Sequence, residues 1–166
     1  MGLFDNLIAI HHRVAATAIR EYATSLKTTQ LEQDFSRMVN VEPHIYVGER
    51  IFFLCALSRY ILYLSAQEKQ REDFHAASGF LERLLDEYFA TRPGIDARVS
   101  TYHWHLARDD YTVDTGEELT VRFLTRVTGG RLTREHISDL PRYQELVNSH
   151  IEQTRTFIVS STAKLK

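Results

Sequence analysis

Cysteine, proline and glycine are all scarce in these 166 residues, at one, three and seven. The single cysteine excludes an intramolecular disulfide. Cys55 lies inside RIFFLCALSRYILYL, where an inert buried thiol in a reducing cytosol is the natural reading. So few glycines and prolines also exclude the many tight turns of a strand-rich fold. No apolar run reaches the roughly 20 residues that cross a bilayer, because Arg50 and Arg59 interrupt the longest one. Nor is there a large excess of charge: a formal net charge of −2 provides no general attraction for nucleic-acid backbones or anionic membranes. The opening MGLFDNLIAIHHR has an acid ahead of a very short apolar stretch and no small-residue cleavage site, so no secretory leader is expected. Asn6 stands where an acylation signal needs Ser or Thr.

What the chain does have is helical periodicity. Leu7, Ile8, Ile10, Val14, Ala15, Ala18, Ile19, Tyr22 and Leu26 recur near 3.6 residues, predicting an amphipathic helix from Leu3 to about Lys27. Leu31, Phe35, Met38 and Val39 mark a short helix before Pro43. Pro43 suits the first turn of a long helix, roughly His44 to Gln67, which is apolar nearly all round and so belongs at the centre of its domain or in an interface. A stripe from Phe74 to Phe89 predicts the next helix, ended by TRPG. Ile95, Val99, Tyr102 and Leu106 step by four, three and four, placing 95–107 on a helix as well.

The sequence TGEE from Thr115 matches a capping box and predicts a helix to about Val127, stopped by Gly129 and Gly130. A short turn over Thr133–Ser138 follows. Asp139 as a cap and Pro141 in the first turn then open a last helix carrying Tyr143, Leu146, Val147, Ile151, Thr154, Phe157 and Ile158. The expectation is an all-α fold: a single-domain helical bundle over residues 1–166, with about five long helices and one or two short ones. The helix at 45–64 should pack between those at 7–26, 74–89 and 143–158.

The stretch STYHWHLARDD sets His103 and His105 around the only tryptophan, with Asp109 and Asp110 beyond. On a strand, His103, His105 and Asp109 would share a face and could hold zinc. On a helix, residues two apart project about 200° from each other, and the two imidazoles cannot share an ion. Glu72 and His75 have the three-residue spacing that di-iron bundles use, but no second Glu-x-x-His accompanies them. The tract VTGGRLTREHISDLPRYQ admits a helix-turn-helix in which Arg126, Arg131, Arg134 and Arg142 meet phosphates, although Glu135 and Asp139 interrupt that surface.

Arg98–His103 (RVSTYH) and Arg131–His136 (RLTREH) share the pattern Arg-apolar-x-x-x-His. It resembles the signature of HEPN ribonucleases, small all-helical proteins. The resemblance covers six residues and implies His103 as the proton-transfer group, Arg98 as the phosphate partner and RNA as the substrate. No phosphate loop, nucleophile elbow or paired-cysteine motif is present. Without a convergent catalytic set, the leading expectation is a non-catalytic binding or scaffolding module that is cytoplasmic and acts as a homo-oligomer. It would engage protein rather than membrane or nucleic acid, and it would need no cofactor. The alternatives are the HEPN-like nuclease and a helical zinc or iron protein.

Overall fold

The computed structural model describes residues 3–25, 30–69, 72–90, 113–163 and 165, and every regular element among them is a helix. In chain order these are α1 (Leu3–Ala23), α2 (Gln30–Met38), α3 (Pro43–Lys69), α4 (Glu72–Ala90), α5 (Val113–Val127), α6 (Arg134–Ser138) and α7 (Leu140–Thr162). Five are long and two short among the described residues, as the periodicity predicts. The segment 95–107 lies outside the described residues.

α3 occupies the centre. It packs against α1, α4 and α7 as expected, and also against α2 and α5. Its residues 51–58 are all buried, because neighbours surround that stretch and leave no face for solvent. Ile45, Tyr63 and Leu64, near its two ends, are exposed.

α1 buries His12, Ala15, Ala16, Ile19 and Ala23, one face at helical spacing whose small residues let α4 approach closely. Val14, placed on the apolar stripe by its hydropathy, faces solvent. At 100° per residue it lies on roughly the opposite side of the helix from His12, Ala16, Ile19 and Ala23. α4 returns Ala77, Leu81 and Leu85. Over the rim of this contact, the guanidinium carbons of Arg13 and Arg83 stand 5.6 and 4.5 Å from the Phe80 ring centroid, within cation–π range.

The opposite end of the core is aromatic. Phe35 of α2 lies 5.1 Å from Tyr46 and 5.2 Å from Tyr143, ring centroid to ring centroid. Phe123 of α5 lies 5.3 Å from Phe53. Each such ring contributes roughly 1.5–3 kcal/mol by burial, and edge-on pairing adds to that. Leu119, Phe123, Leu124 and Val127 join the same cluster as the buried residues of α3. The 115–158 tract is therefore built into the common core, and α6, the short helix of the helix-turn-helix reading, buries no residue at all.

Two caps differ from expectation. Helical backbone already begins at Val113, so Thr115 sits inside the first turn, whereas an N-cap needs a non-helical backbone. Asp139 does precede α7, with Pro141 in the first turn, yet its side chain makes no capping bond. A reciprocal box forms instead at Thr133: its hydroxyl accepts from the His136 N–H at 3.2 Å, and His136 Nδ1 accepts from the Thr133 N–H at 3.1 Å. Histidine here takes the place usually held by Glu or Gln.

Most hydroxyls bond within their own helix. Ser36, Thr154 and Thr162, all buried, donate to the carbonyls of Glu32, His150 and Ile158 four residues earlier. This uses up their donor capacity locally.

Candidate functional site

Two places in the structure concentrate polar chemistry. The first is inside the bundle, where α1, α2, α3 and α7 meet. Glu32 of α2 falls on the same face as Phe35, Ser36 and Val39 and is carried into the core with them. Arg50 of α3 meets it there: Nη1 donates to Glu32 Oε1 at 2.7 Å, and both side chains are about 95% or more out of water. Arg50 Nη2 donates to the Ser25 carbonyl at 2.6 Å. One guanidinium therefore grips the chain on both sides of residues 26–29.

Tyr46 and His150 complete the cluster. A carboxylate only accepts, so the one Tyr46 proton goes to Glu32, to which its hydroxyl is hydrogen-bonded. His150 Nε2, 3.1 Å from the Tyr46 oxygen, is then the donor of a neutral imidazole. Burial lowers the His150 pKa to about 4; the Glu32 carboxylate, 3.7 Å away, opposes the shift and Arg50 adds to it. Burial first and Glu32 second push the Tyr46 hydroxyl well above its ordinary range. Tyr22 of α1 extends the network, 3.2 Å from Thr154 Oγ1, with its ring stacked on Phe157 at 4.4 Å. Tyr46 is wholly buried, so this arrangement fixes protons and helix positions within the core.

The second place is an open cleft of about 1060 Å³ between the α2–α3 connection and the α5–α6 connection. Both walls are helix C-termini that turn in the same way. In α2, Asn40 takes a left-handed φ of 53°, while Val41 N–H donates to Ser36 and Asn40 N–H to Arg37. In α5, Gly129 takes φ 62°, while Gly130 N–H donates to Thr125 and Gly129 N–H to Arg126. These are paired Schellman turns, and they use the N–H groups of Asn40, Val41, Gly129 and Gly130 within the turns themselves. Side chains are left to define its chemistry. Exposed Met38 and Ile45 supply apolar contact, Arg126 and Arg131 sit on one wall with Glu135, and Arg37 sits on the other with Glu42. Arg37 is already held by Asp34 at 2.8 Å.

Arg98, His103, His105 and Asp109, the residues singled out for catalysis or metal binding, lie outside the described residues. In the second Arg–His pattern, Arg131 lines the cleft while the His136 Nδ1 is occupied by the capping bond. His75 is exposed on α4, whereas His12 is buried beside an exposed His11. No group of three or more His, Cys, Asp or Glu residues is placed to hold a metal ion among the described residues, and no described helix is long and apolar enough to cross a membrane. Cys55 is buried, and burial pushes its thiol up to about 12.

The buried quartet was not anticipated from the sequence, although its spacing was legible. His150 lies seven residues after Tyr143 and four before Thr154, on the very stripe that defines the last helix. Comparison with protein-family models, with curated proteins and with solved structures yields no match to this chain.

Proposed function

We propose that this chain is a non-catalytic helical binding module, and that the cleft between residues 36–45 and 126–136 receives a segment of a protein partner. One observation carries the reading: a cleft of about 1060 Å³ combines exposed Met38 and Ile45 with Arg126 and Arg131 on one wall. Small-molecule pockets run to roughly 300–1,000 Å³ and enclose their ligands. This one is large and open, which suits a peptide that presents apolar side chains flanked by carboxylates. Methionine at a binding surface adapts to varied apolar partners.

Self-association is part of the proposal. Tyr63 and Leu64 stand adjacent and exposed on α3, and a second copy of the chain would cover them. The reading also places the protein in a reducing cytosol, where its lone buried thiol has no oxidised partner to meet.

The test is selection from a library of random twelve-residue peptides displayed on phage. Selected peptides should be rich in apolar residues next to Asp or Glu, and synthetic copies should bind at least tenfold more weakly to Ile45→Asp and Arg131→Glu proteins. Affinity unchanged in both variants would overturn the assignment of the cleft. RNA cleavage that is lost in a His103→Ala protein, or stoichiometric zinc or iron by elemental analysis, would overturn the non-catalytic reading. Light scattering at the mass of one chain would remove the oligomer.

A further inference from the structure

The geometry points to α2 as an acid-releasable strap, whose docking on the bundle depends on an uncharged His150 beside the Glu32–Arg50 pair. A helix of nine residues is too short to persist unsupported in water, so α2 is helical because of what holds it. Phe35 and Val39 bury apolar surface. Glu32 provides the polar attachment, through Arg50 at 2.7 Å and Tyr46. Arg50 in turn holds the Ser25 carbonyl at the end of α1, so one group fastens the strap and the chain leading into it.

His150 lies beneath this attachment. The groups facing it are Glu32 from α2, Tyr46 and Arg50 from α3 and, through Thr154, Tyr22 from α1. Protonating His150 would put a second buried cation beside Arg50, at the Glu32 carboxylate that Arg50 already engages. Burial makes that costly. Undocking α2 admits water to both cations and relieves the cost, whereas the long interfaces of α1, α3, α4 and α7 do not have to part. Acid therefore opens this one element before the rest.

A consequence for the cleft follows, and this clause alone rests on the binding reading above: α2 supplies the wall from Ser36 to Asn40, so release of the strap dismantles that wall.

Hydrogen exchange of the full-length chain without any ligand tests the strap itself, read as protection factors so that the intrinsic pH dependence of exchange cancels. With His150 near 4 when docked and at its ordinary value of about 6.5 when α2 is open, protection of the amides of Val39, Asn40 and Val41 should fall about 20-fold between pH 7 and pH 5. Protection at 51–57 and 146–158 falls by a similar factor, because global unfolding also frees His150, but should stay far above that of α2 at both pH values. A His150→Gln protein, which keeps a side-chain hydrogen bond and cannot titrate, should lose the pH dependence. Three results overturn the inference: pH-invariant protection of α2, the same dependence in His150→Gln, or α2 amides protected as strongly as those of α3 and α7. Should the variant fail to fold, NMR titration of His150 in the unaltered chain decides. A folded-state midpoint at the ordinary value refutes the strap. Peptide binding enters none of these readouts, so failure here leaves the cleft reading standing, and failure of peptide selection leaves the strap standing.

Discussion

The Arg50 guanidinium meets the Glu32 carboxylate at 2.7 Å with almost no water around either side chain. Two charges removed from solvent roughly repay their desolvation by attracting each other, but either one alone does not. Glu32→Ala should therefore destabilise the protein by about 3–5 kcal/mol in urea unfolding. A Glu32→Leu, Arg50→Met double variant should be more stable than either single one. Single losses that simply add in the double variant would show that the pair is not coupled.

Global stability should fall in mild acid. His150 binds its proton less readily folded, near 4, than unfolded, where its value is about 6.5. Its contribution is thus fully present above about pH 6.5 and is lost as the pH drops towards 4, at up to about 1.4 kcal/mol per pH unit and about 3 kcal/mol in all. Urea midpoints for the natural chain and for His150→Gln, measured from pH 7 to pH 4, check this. The two curves should converge in acid.

Leu57 is almost wholly buried in the middle of α3. An aspartate there would leave an unpaired charge in the core, a loss that exceeds the roughly 5–15 kcal/mol by which domains are commonly stable only when combined with lost packing. Both apply. Leu57→Asp should abolish the cooperative thermal transition seen by circular dichroism, and an unchanged melting curve would refute the core assignment.

Cys55 supplies an independent probe of opening. Its thiol is buried and shifted up to about 12, so a thiol reagent at pH 8 should react only with opened molecules. The labelling rate should rise with urea in parallel with unfolding. Rapid labelling of the native protein would contradict the packing around α3.

Glycines at two kinds of position should respond in opposite directions. Gly129 holds φ 62° at the end of α5, where any side chain is strained, so Gly129→Ala should cost about 1–2 kcal/mol. Gly48 lies within α3, and a Cβ there meets nothing within 4 Å among the described residues. Gly48→Ala should stabilise by about 0.5–1 kcal/mol. Thermal melts of the two variants test the contrast.

Helix positions were legible because period and breakers agree: Pro43 starts α3, Gly129 stops α5, and the apolar stripes predict which faces pack. Individual directions were less legible where apolar and polar residues compete for one face. Met38 is exposed and Glu32 buried on α2, the reverse of what hydropathy suggests, because Glu32 finds Arg50 across a helix boundary. Such pairing is between residues 18 apart in sequence, and local periodicity does not encode it. The Thr133 cap was obscured because histidine plays the partner. The cleft depends on two turns separated by nearly ninety residues, each ordinary alone.

Because the buried hydroxyls of Ser36 and Thr162 are satisfied along their own helices, they carry little information about which neighbour lies alongside. Orientation is encoded instead at the junction of Tyr22, Glu32, Tyr46, Arg50 and His150, while the α1–α4 end relies on shape. Sequence drift should therefore be tolerated unevenly, with free exchange among small apolar residues at one pole and near-fixed identities at the other.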